Sequence, residues 1–359
     1  MLVFETPDWS GRSQRERLDE FDELRKKLGE GLGRRAPWTL PLRRSERALS
    51  YASSVLIEGY PVSAQRADKL ASGEVTPSAH DENEQALSCY AHAMDHVATL
   101  AVDPRFEWKE RVVLDLHFEL CRFQKGKHPG LYRTSSIEVT APDGGVAFRG
   151  PAAGSIPELV DAMVKQLGRH TGKVHPLIEA AMAHLNLVSI HPFEDGNGRI
   201  SRVIQSLVLA RDGVLSPEFG SIEHYLARHT RNYYDVLMEV QGGSFQPSRD
   251  ATPWIDFCLT AHIDQAKRRL ALIERAANRW AALEEEVASK GWDDRLVIAL
   301  EQALMGSTDR VTYSGEARIA NVTASNDLRR LVDADLLDRL GGGRSTSYEP
   351  TDRLRRIVS

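Results

Sequence analysis

Cysteine is scarce in this chain: three among 359 residues, at positions 89, 121 and 258. An odd number of widely spaced cysteines with no CxxC pair excludes a disulfide framework and places the protein in a reducing compartment. No HExxH run or Cys/His cluster offers zinc ligands instead. Long apolar runs are missing too, since no stretch reaches the roughly twenty residues of a membrane-spanning helix. The first residues turn charged within a few positions, so no signal-type apolar core stands there. Positive charge is not in excess either. A formal net charge of -5 gives no electrostatic argument for nucleic acid or an anionic membrane as the main partner. What remains is ordinary globular material, 42% hydrophobic and 27% charged, expected in the cytoplasm with no membrane partner.

The apolar spacing predicts a mainly α protein. Residues 10–31 read as an exposed, heavily charged helix, "APWTLPLRR" as a Pro-bearing connector, and residues 45–58 as a helix stopped by Gly59 and Pro61. Helices are also expected in "DENEQALSCYAHAMDHVATLAV", "EWKERVVLDLHFELCRFQ", "SIPELVDAMVKQL", "HPLIEAAMAHLNLVSI", "RISRVIQSLVLARDG", "RNYYDVLMEVQGG" and the long run from Thr252. Between them, Leu131 to Phe148 reads as a β-hairpin turning at "PDGG". From residue 293 the helices "RLVIALEQAL", "ARIANV" and "ASNDLRRLVDADLL", then strand, Gly-rich turn and strand, predict a small winged-helix domain. The division expected is a charged extension over 1–44, a core over 45–270, a linker helix over 271–292 and the winged helix over 293–359.

The stretch "HPFEDGNGRISR", His191 to Arg202, joins two of these helices and is dense in chemistry. A helix N-terminus presents unpaired N–H groups and partial positive charge, and Gly196 and Gly198 let the backbone curl into an anion nest. Arg199 and Arg202 fall on roughly one helical face, where both guanidiniums can reach one polyphosphate. Asp195 is a hard oxygen ligand suited to Mg²⁺ held together with phosphates. His191 is placed to accept a proton from an incoming hydroxyl. Such parts suit nucleotidyl or phosphoryl transfer. The bland alternative, a polar connector, explains Pro192 and the glycines but not the whole constellation. His117, His175 and His184, in apolar helical patterns, read as core or helix-surface histidines.

This stretch resembles the Fic family motif HPFx(D/E)GNGRxxR, complete at His191, Pro192, Phe193, Asp195, Gly196, Asn197, Gly198, Arg199 and Arg202. The resemblance implies a helical enzyme with an inserted β-hairpin flap that transfers AMP from ATP, with Mg²⁺, to a hydroxyl of a target protein. His191 would then be the general base, Asp195 the Mg²⁺ ligand, Gly196, Asn197, Gly198, Arg199 and Arg202 the phosphate site, and Phe193 a core anchor. "SSVLIEG" is similar to the family's inhibitory motif (S/T)xxxE(G/N) through Ser54, Glu58 and Gly59. That implies autoinhibition, with Glu58 on an N-terminal helix (45–59) pairing with Arg202. The hairpin would clamp the target segment by strand addition. "RNYYDVL" resembles the adenine-pocket segment, with Tyr233, Tyr234 and Gln241 as its candidates. The motif's glycines argue against phosphate transfer, while UMP or phosphocholine donors, removal of AMP from a modified target, and a homodimer stay open.

The last domain divides the readings further. A winged helix suggests a nucleotide-sensing DNA-binding regulator, with residues 325–332 in a groove. Yet residues 293–359 hold ten arginines against eleven acids, so the basic footprint is missing; "DLRRL" and Arg344 leave a local patch open to DNA, but a protein-interaction or target-positioning role is preferred.

Overall fold

The structure, a computed structural model, describes residues 2–33, 38–140, 145–169, 174–213, 217–343 and 346–358. It divides into two compact units, Met1–Gly31 with Arg43–Leu270, and Leu32–Leu42 with Ala271–Ser359. The fold is mainly α, as expected, with two small hairpins.

In the first unit, α1 (Arg12–Gly33), α2 (Thr39–Ile57), α3 (Ala64–Ala71), α4 (Glu82–Val102) and α5 (Glu110–Cys121) lead to the hairpin of β1 (Glu138–Thr140) and β2 (Val146–Arg149). α6 (Ile156–Gly168), α7 (Pro176–Ile190) and α8 (Asn197–Arg211) follow. α9 (Pro217–Gly220), α10 (Glu223–Arg228), α11 (Thr230–Gln241) and α12 (Thr252–Ser289) complete the series, and α12 continues past Leu270. The centre is α7, buried around its whole circumference from Ala180 to Ile190. Its exit is sharp. His191 takes a left-handed conformation, φ 50°, and its N–H closes the helix on the Leu187 carbonyl. Two helix starts have a plain local cause: Asp81 accepts from the Asn83 and Glu84 N–H groups at the head of α4, and Pro176 fills the first turn of α7.

In the first unit three sequence expectations change. α1 is amphipathic rather than exposed: Leu18 and Phe21 enter the core beside α7 and α12. Phe4, ahead of it, is fully buried and exchanges backbone hydrogen bonds with the Asn186 side chain, at 2.7 and 3.1 Å. α2 begins six residues before Ser45, because Pro41 falls in the first turn, where its missing N–H costs no helical bond. The hairpin is shorter than Leu131–Phe148, and most of its "PDGG" turn lies outside the described residues. α3 was not anticipated.

The second unit holds α13 (Leu296–Leu304), α14 (Arg310–Ala317), α15 (Asn321–Asp333), then β3 (Leu337–Leu340), β4 (Ser347–Pro350) and α16 (Asp352–Ile357). β3 and β4 are antiparallel, and Tyr348 also bridges Thr308. "ARIANV", expected as one helix, instead spans the break between α14 and α15. Arg318 there is left-handed at φ 53°, which ends α14. Arg344 lies outside the described residues.

Candidate phosphate-binding site at the head of α8

The turn from α7 into α8 is built so tightly that its shape has few alternatives. Asn197 spends both ends of its amide on Phe193, accepting from its N–H at 3.0 Å and donating to its carbonyl at 2.9 Å. Its side chain is thus a staple inside the loop, and only its backbone faces an anion. Gly196 is left-handed, φ 77°, and a Cβ there would strike Cys121 Sγ. Phe193 is fully buried and stacks on His117, centroids 3.5 Å apart. His117 Nε2–H donates to the Asp195 carbonyl at 3.0 Å, and its Nδ1 accepts from Gly130 N–H at 2.9 Å. Burial lowers its pKa to about 4, so this ring is neutral and wholly structural.

Arg133, which the sequence reading missed, ties the loop to the base of the hairpin. Its side chain donates to the carbonyls of His191 (2.8 Å), Ser135 (2.6 Å) and Pro151 (2.7 Å), and its N–H to that of Pro192 (2.9 Å). No periodicity marks such a residue, because its ties to the loop are to the His191 and Pro192 carbonyls, distant in sequence.

His191 is left with one free nitrogen. Nδ1 lies 3.1 Å from the Val188 carbonyl, an acceptor only, so Nδ1 carries the proton and Nε2 is the unprotonated atom. Desolvation lowers its pKa to about 4, more than the Val188 carbonyl raises it, so the ring is neutral at physiological pH. At the other end lie two buried guanidiniums. Arg199, fully buried, sits over the rings of Tyr60 and Phe123 at 5.3 and 5.7 Å. Arg199 Nε and Nη1 and Arg202 Nη1 have no hydrogen-bond partner among the described residues. Buried donors without acceptors are costly, and an anion would satisfy them.

A carboxylate already reaches this cradle. Arg202 Nη2 donates to Glu58 Oε1 at 3.0 Å and to the Ser54 carbonyl at 3.0 Å, while Nε donates to Ser54 Oγ at 2.9 Å. Glu58 Oε1 also lies 2.5 Å from where a Cβ on Gly198 would stand, so the carboxylate rests on the nest backbone itself. Burial is the largest influence on Arg202 and works against its charge, but Glu58 together with Tyr233 and Tyr90 outweighs it and holds the guanidinium above its ordinary range. Gly59, left-handed at φ 87°, ends this segment.

The helix that brings Glu58 here carries a polar stripe at four-residue spacing: Glu46, Ser50, Ser54 and Glu58. Glu46, 3% exposed, accepts from both ends of Arg268 at 2.9 Å and from Arg269 Nε at 3.1 Å. Ser50 Oγ meets Ser221 Oγ at 2.9 Å. One face of α2 is therefore pinned by polar contacts along three turns. Beyond Gly59, Tyr60 adds another tie. Gln124 Nε2 donates to the Tyr60 hydroxyl at 2.9 Å and to Asp195 Oδ2 at 2.7 Å, while its Oε1 accepts from Arg199 at 3.3 Å. Sequence reasoning found neither Tyr60 nor Gln124.

The candidates on α11 separate. Tyr233 is 1% exposed and its hydroxyl meets His184 Nε2 at 3.0 Å, so it belongs to the core rather than to an open pocket. Gln241 is 5% exposed and donates to Ser189 Oγ at 3.0 Å. Tyr234, at 42%, is the exposed one. His184 is fully buried, while His175 accepts the Leu177 N–H at the head of α7. In the hairpin, the far edge of β2 bonds to Gly243 and Phe245. No such pairing is found for the outer edge of β1 among the described residues.

Two glycines at a helix head, two buried arginines and a neutral histidine form a cradle whose chemistry suits an anion, on a helical scaffold. Residues 107–209 match the Fic/DOC family, so that stretch of the chain is a Fic domain. The chain is 32% identical over 168 residues to a protein adenylyltransferase Fic from Aedes aegypti, and 29% identical over 198 residues to protein adenylyltransferase fic-1 from Caenorhabditis briggsae. These alignments take in 46% and 51% of this chain but only 31% and 36% of the relatives, so the chain spans about a third of their length. Among solved structures, a Fic family protein from Desulfovibrio desulfuricans superposes with a TM-score of 0.58 at 22% identity, covering 93% of this chain and 96% of that one. A Fic domain-containing signaling protein from Bacteroides thetaiotaomicron gives 0.61 at 20%, over 71% and 97%. At those identities the likeness is one of fold.

Proposed function

We propose that this protein is an autoinhibited, Mg²⁺-dependent protein adenylyltransferase, moving AMP from ATP to a hydroxyl side chain of a target protein. The observation that carries the reading is the Glu58 carboxylate lying on Gly198 and bonded to Arg202, as a stand-in for a phosphate group. The buried guanidinium N–H groups without acceptors fit a polyphosphate larger than one carboxylate. Asp195 fits a single protein ligand for Mg²⁺, an ion that keeps waters and shares phosphate oxygens. No group of three or more His, Cys, Asp or Glu side chains able to hold a metal is present among the described residues. The metal would spread the charge of the phosphates.

His191 Nε2 takes the proton of the attacking hydroxyl. A base neutral at working pH and fixed in one tautomer is always ready for that step. Backbone N–H groups at Gly196 to Gly198 hold the phosphates beside the attacked phosphorus, and Arg199 and Arg202 bind those that leave as pyrophosphate. With Glu58 on Arg202, the terminal phosphate loses one guanidinium and the productive pose is withheld. The free edge of β1 receives the target segment as an added strand. Tyr234 is the aromatic face for the adenine. The second unit, with three helices ahead of a two-stranded hairpin and a short helix after it, is a winged helix.

ATP labelled at the α- or the γ-phosphate separates the reactions this site can run. The Glu58→Gly variant incubated with Mg²⁺ and target-containing lysate should incorporate the α label and not the γ label. Incorporation of the γ label would replace AMP transfer with phosphate transfer.

A further inference from the structure

The turn that delivers Glu58 to Arg202 also reaches the other motif arginine. Past Ile57, the Gly59 N–H donates to the Leu56 carbonyl and the Tyr60 N–H to the Val55 carbonyl, both at 3.0 Å. This double closure is a Schellman cap, and it fixes Tyr60 relative to Glu58 as one rigid piece. Glu58 bonds to Arg202, whereas the Tyr60 ring lies 5.3 Å from the Arg199 guanidinium and edge-on to Phe123, centroids 5.9 Å apart.

The Tyr60 hydroxyl touches a different group. It accepts from the Gln124 amide nitrogen at 2.9 Å, and the same nitrogen donates to Asp195 Oδ2 at 2.7 Å. Arg199 Nη2 donates to the Gln124 oxygen at 3.3 Å, so both ends of the amide are held and its nitrogen is turned to the carboxylate. Asp195 Oδ1 takes the Gly196 N–H at 2.5 Å. The two side chains of the turn therefore act in opposite senses. Glu58 occupies an arginine that a phosphate needs. Tyr60 leaves Arg199 Nε and Nη1 without acceptors among the described residues. A phosphate can take those N–H groups while the ring and the hydroxyl stay where they are.

We propose that Tyr60 is a positioning residue of the phosphate site: its hydroxyl, through Gln124, orients Asp195 for Mg²⁺, and its ring holds Arg199 for the polyphosphate. A group that fixes the orientation of a metal ligand adds affinity without touching the metal. A guanidinium lying on an aromatic face keeps its orientation while its edge stays free for an anion. The turn that inhibits through one side chain thus completes the site through another, and activity needs the turn docked with only Glu58 off Arg202. The inference rests on the adenylyltransferase reading for the reaction served, while its contacts with metal and nucleotide are measured without turnover.

The test uses the full chain with Glu58→Gly, so that Arg202 is free. Mn²⁺ binding is followed by electron paramagnetic resonance with α,β-methylene-ATP present, and metal-free binding of the same analogue by calorimetry. Tyr60→Phe should weaken Mn²⁺ about three- to tenfold, the range of one lost hydrogen bond, and leave metal-free nucleotide binding unchanged. Tyr60→Leu, which also loses the ring, should weaken the nucleotide about fivefold. In a Gln124→Leu chain, Tyr60→Phe should have no further effect on Mn²⁺, which a general loosening of the fold would not give. Labelling by Tyr60→Phe should fall at limiting Mg²⁺ and recover at saturating Mg²⁺. Faster labelling would make Tyr60 a second inhibitor and overturn the proposal. Mn²⁺ binding indifferent to the hydroxyl, or an equal loss in the Gln124→Leu chain, would overturn it too. The expected Mn²⁺ shifts beside a Glu58→Gly chain that labels nothing would fail the transferase reading and leave the hold of Tyr60 on Asp195 standing.

Discussion

Glu46 offers a sharper test of how inhibition is held than Glu58 itself, because it never approaches the phosphate site. It lies twelve residues upstream on the same face of α2, with its carboxylate buried against Arg268 and Arg269. Removing one partner of a buried ion pair costs roughly 3–5 kcal/mol, since the other charges stay desolvated. Glu46→Ala should therefore lower the unfolding free energy by about that amount, read by urea denaturation. The stripe from Glu46 to Glu58 is one rigid helix. If a third of about 4 kcal/mol reaches its far end, the hold on Arg202 weakens by about 1.4 kcal/mol, roughly tenfold in the open fraction. Self-labelling with ATP should then rise above wild type while staying below Glu58→Gly. A variant that loses the stability yet labels no faster than wild type, beside an active Glu58→Gly, would refute the idea that the far anchor positions the glutamate.

Acid should destabilise the fold through its buried histidines. His117, His184 and His262 sit near pKa 4, 3 and 3, pulled down chiefly by burial, against an ordinary 6.5. The unfolded chain binds more protons between those values, so their contribution is complete above pH 6.5 and is lost as pH falls toward 4. Near pH 5 about three protons are taken up on unfolding, about 4 kcal/mol per pH unit, and urea midpoints that do not move between neutral pH and 5 would contradict this. Gly196→Ala must hold an alanine at φ 77° with its Cβ against Cys121 Sγ, costing at least about 1–2 kcal/mol. It should also silence labelling even with Glu58→Gly, and retained activity would show that the turn tolerates a side chain. Gln124→Leu removes the amide that orients Asp195 and should weaken Mn²⁺ binding, followed by electron paramagnetic resonance, roughly tenfold; unchanged binding would remove Gln124 from the site.

How much of this was legible in the sequence depends on the range of each interaction. The spacing inside "HPFEDGNGRISR" was enough to place its glycines and both arginines at a helix head, because they all lie within one loop and two turns, whereas the Asn197 staple shows only in the fold. Helix 82–102 was legible for the same reason, with its capping aspartate next to its apolar repeat. What failed was set by distant partners. Nothing near α1 announces that Leu18 and Phe21 face α7 and α12. Tyr233 and Tyr234 look alike as neighbours, and only the position of His184 decides which one is buried. Arg133, Gln124 and Tyr60 matter through contacts 58 or more residues away. In the second unit the burial of Asp327 and Glu301 is likewise a tertiary fact that no local pattern announces.

The central claim is that Glu58 occupies a phosphate site served by His191. The most direct measurement is the initial rate of α-labelled AMP incorporation by wild type, Glu58→Gly and Glu58→Gly/His191→Ala under saturating Mg²⁺ and ATP. The account predicts slow labelling by wild type, a rate at least about tenfold higher for Glu58→Gly, from losing a competitor worth about 1.4 kcal/mol or more, and none for the double variant. Equal rates for wild type and Glu58→Gly, or labelling that survives loss of His191, would contradict it.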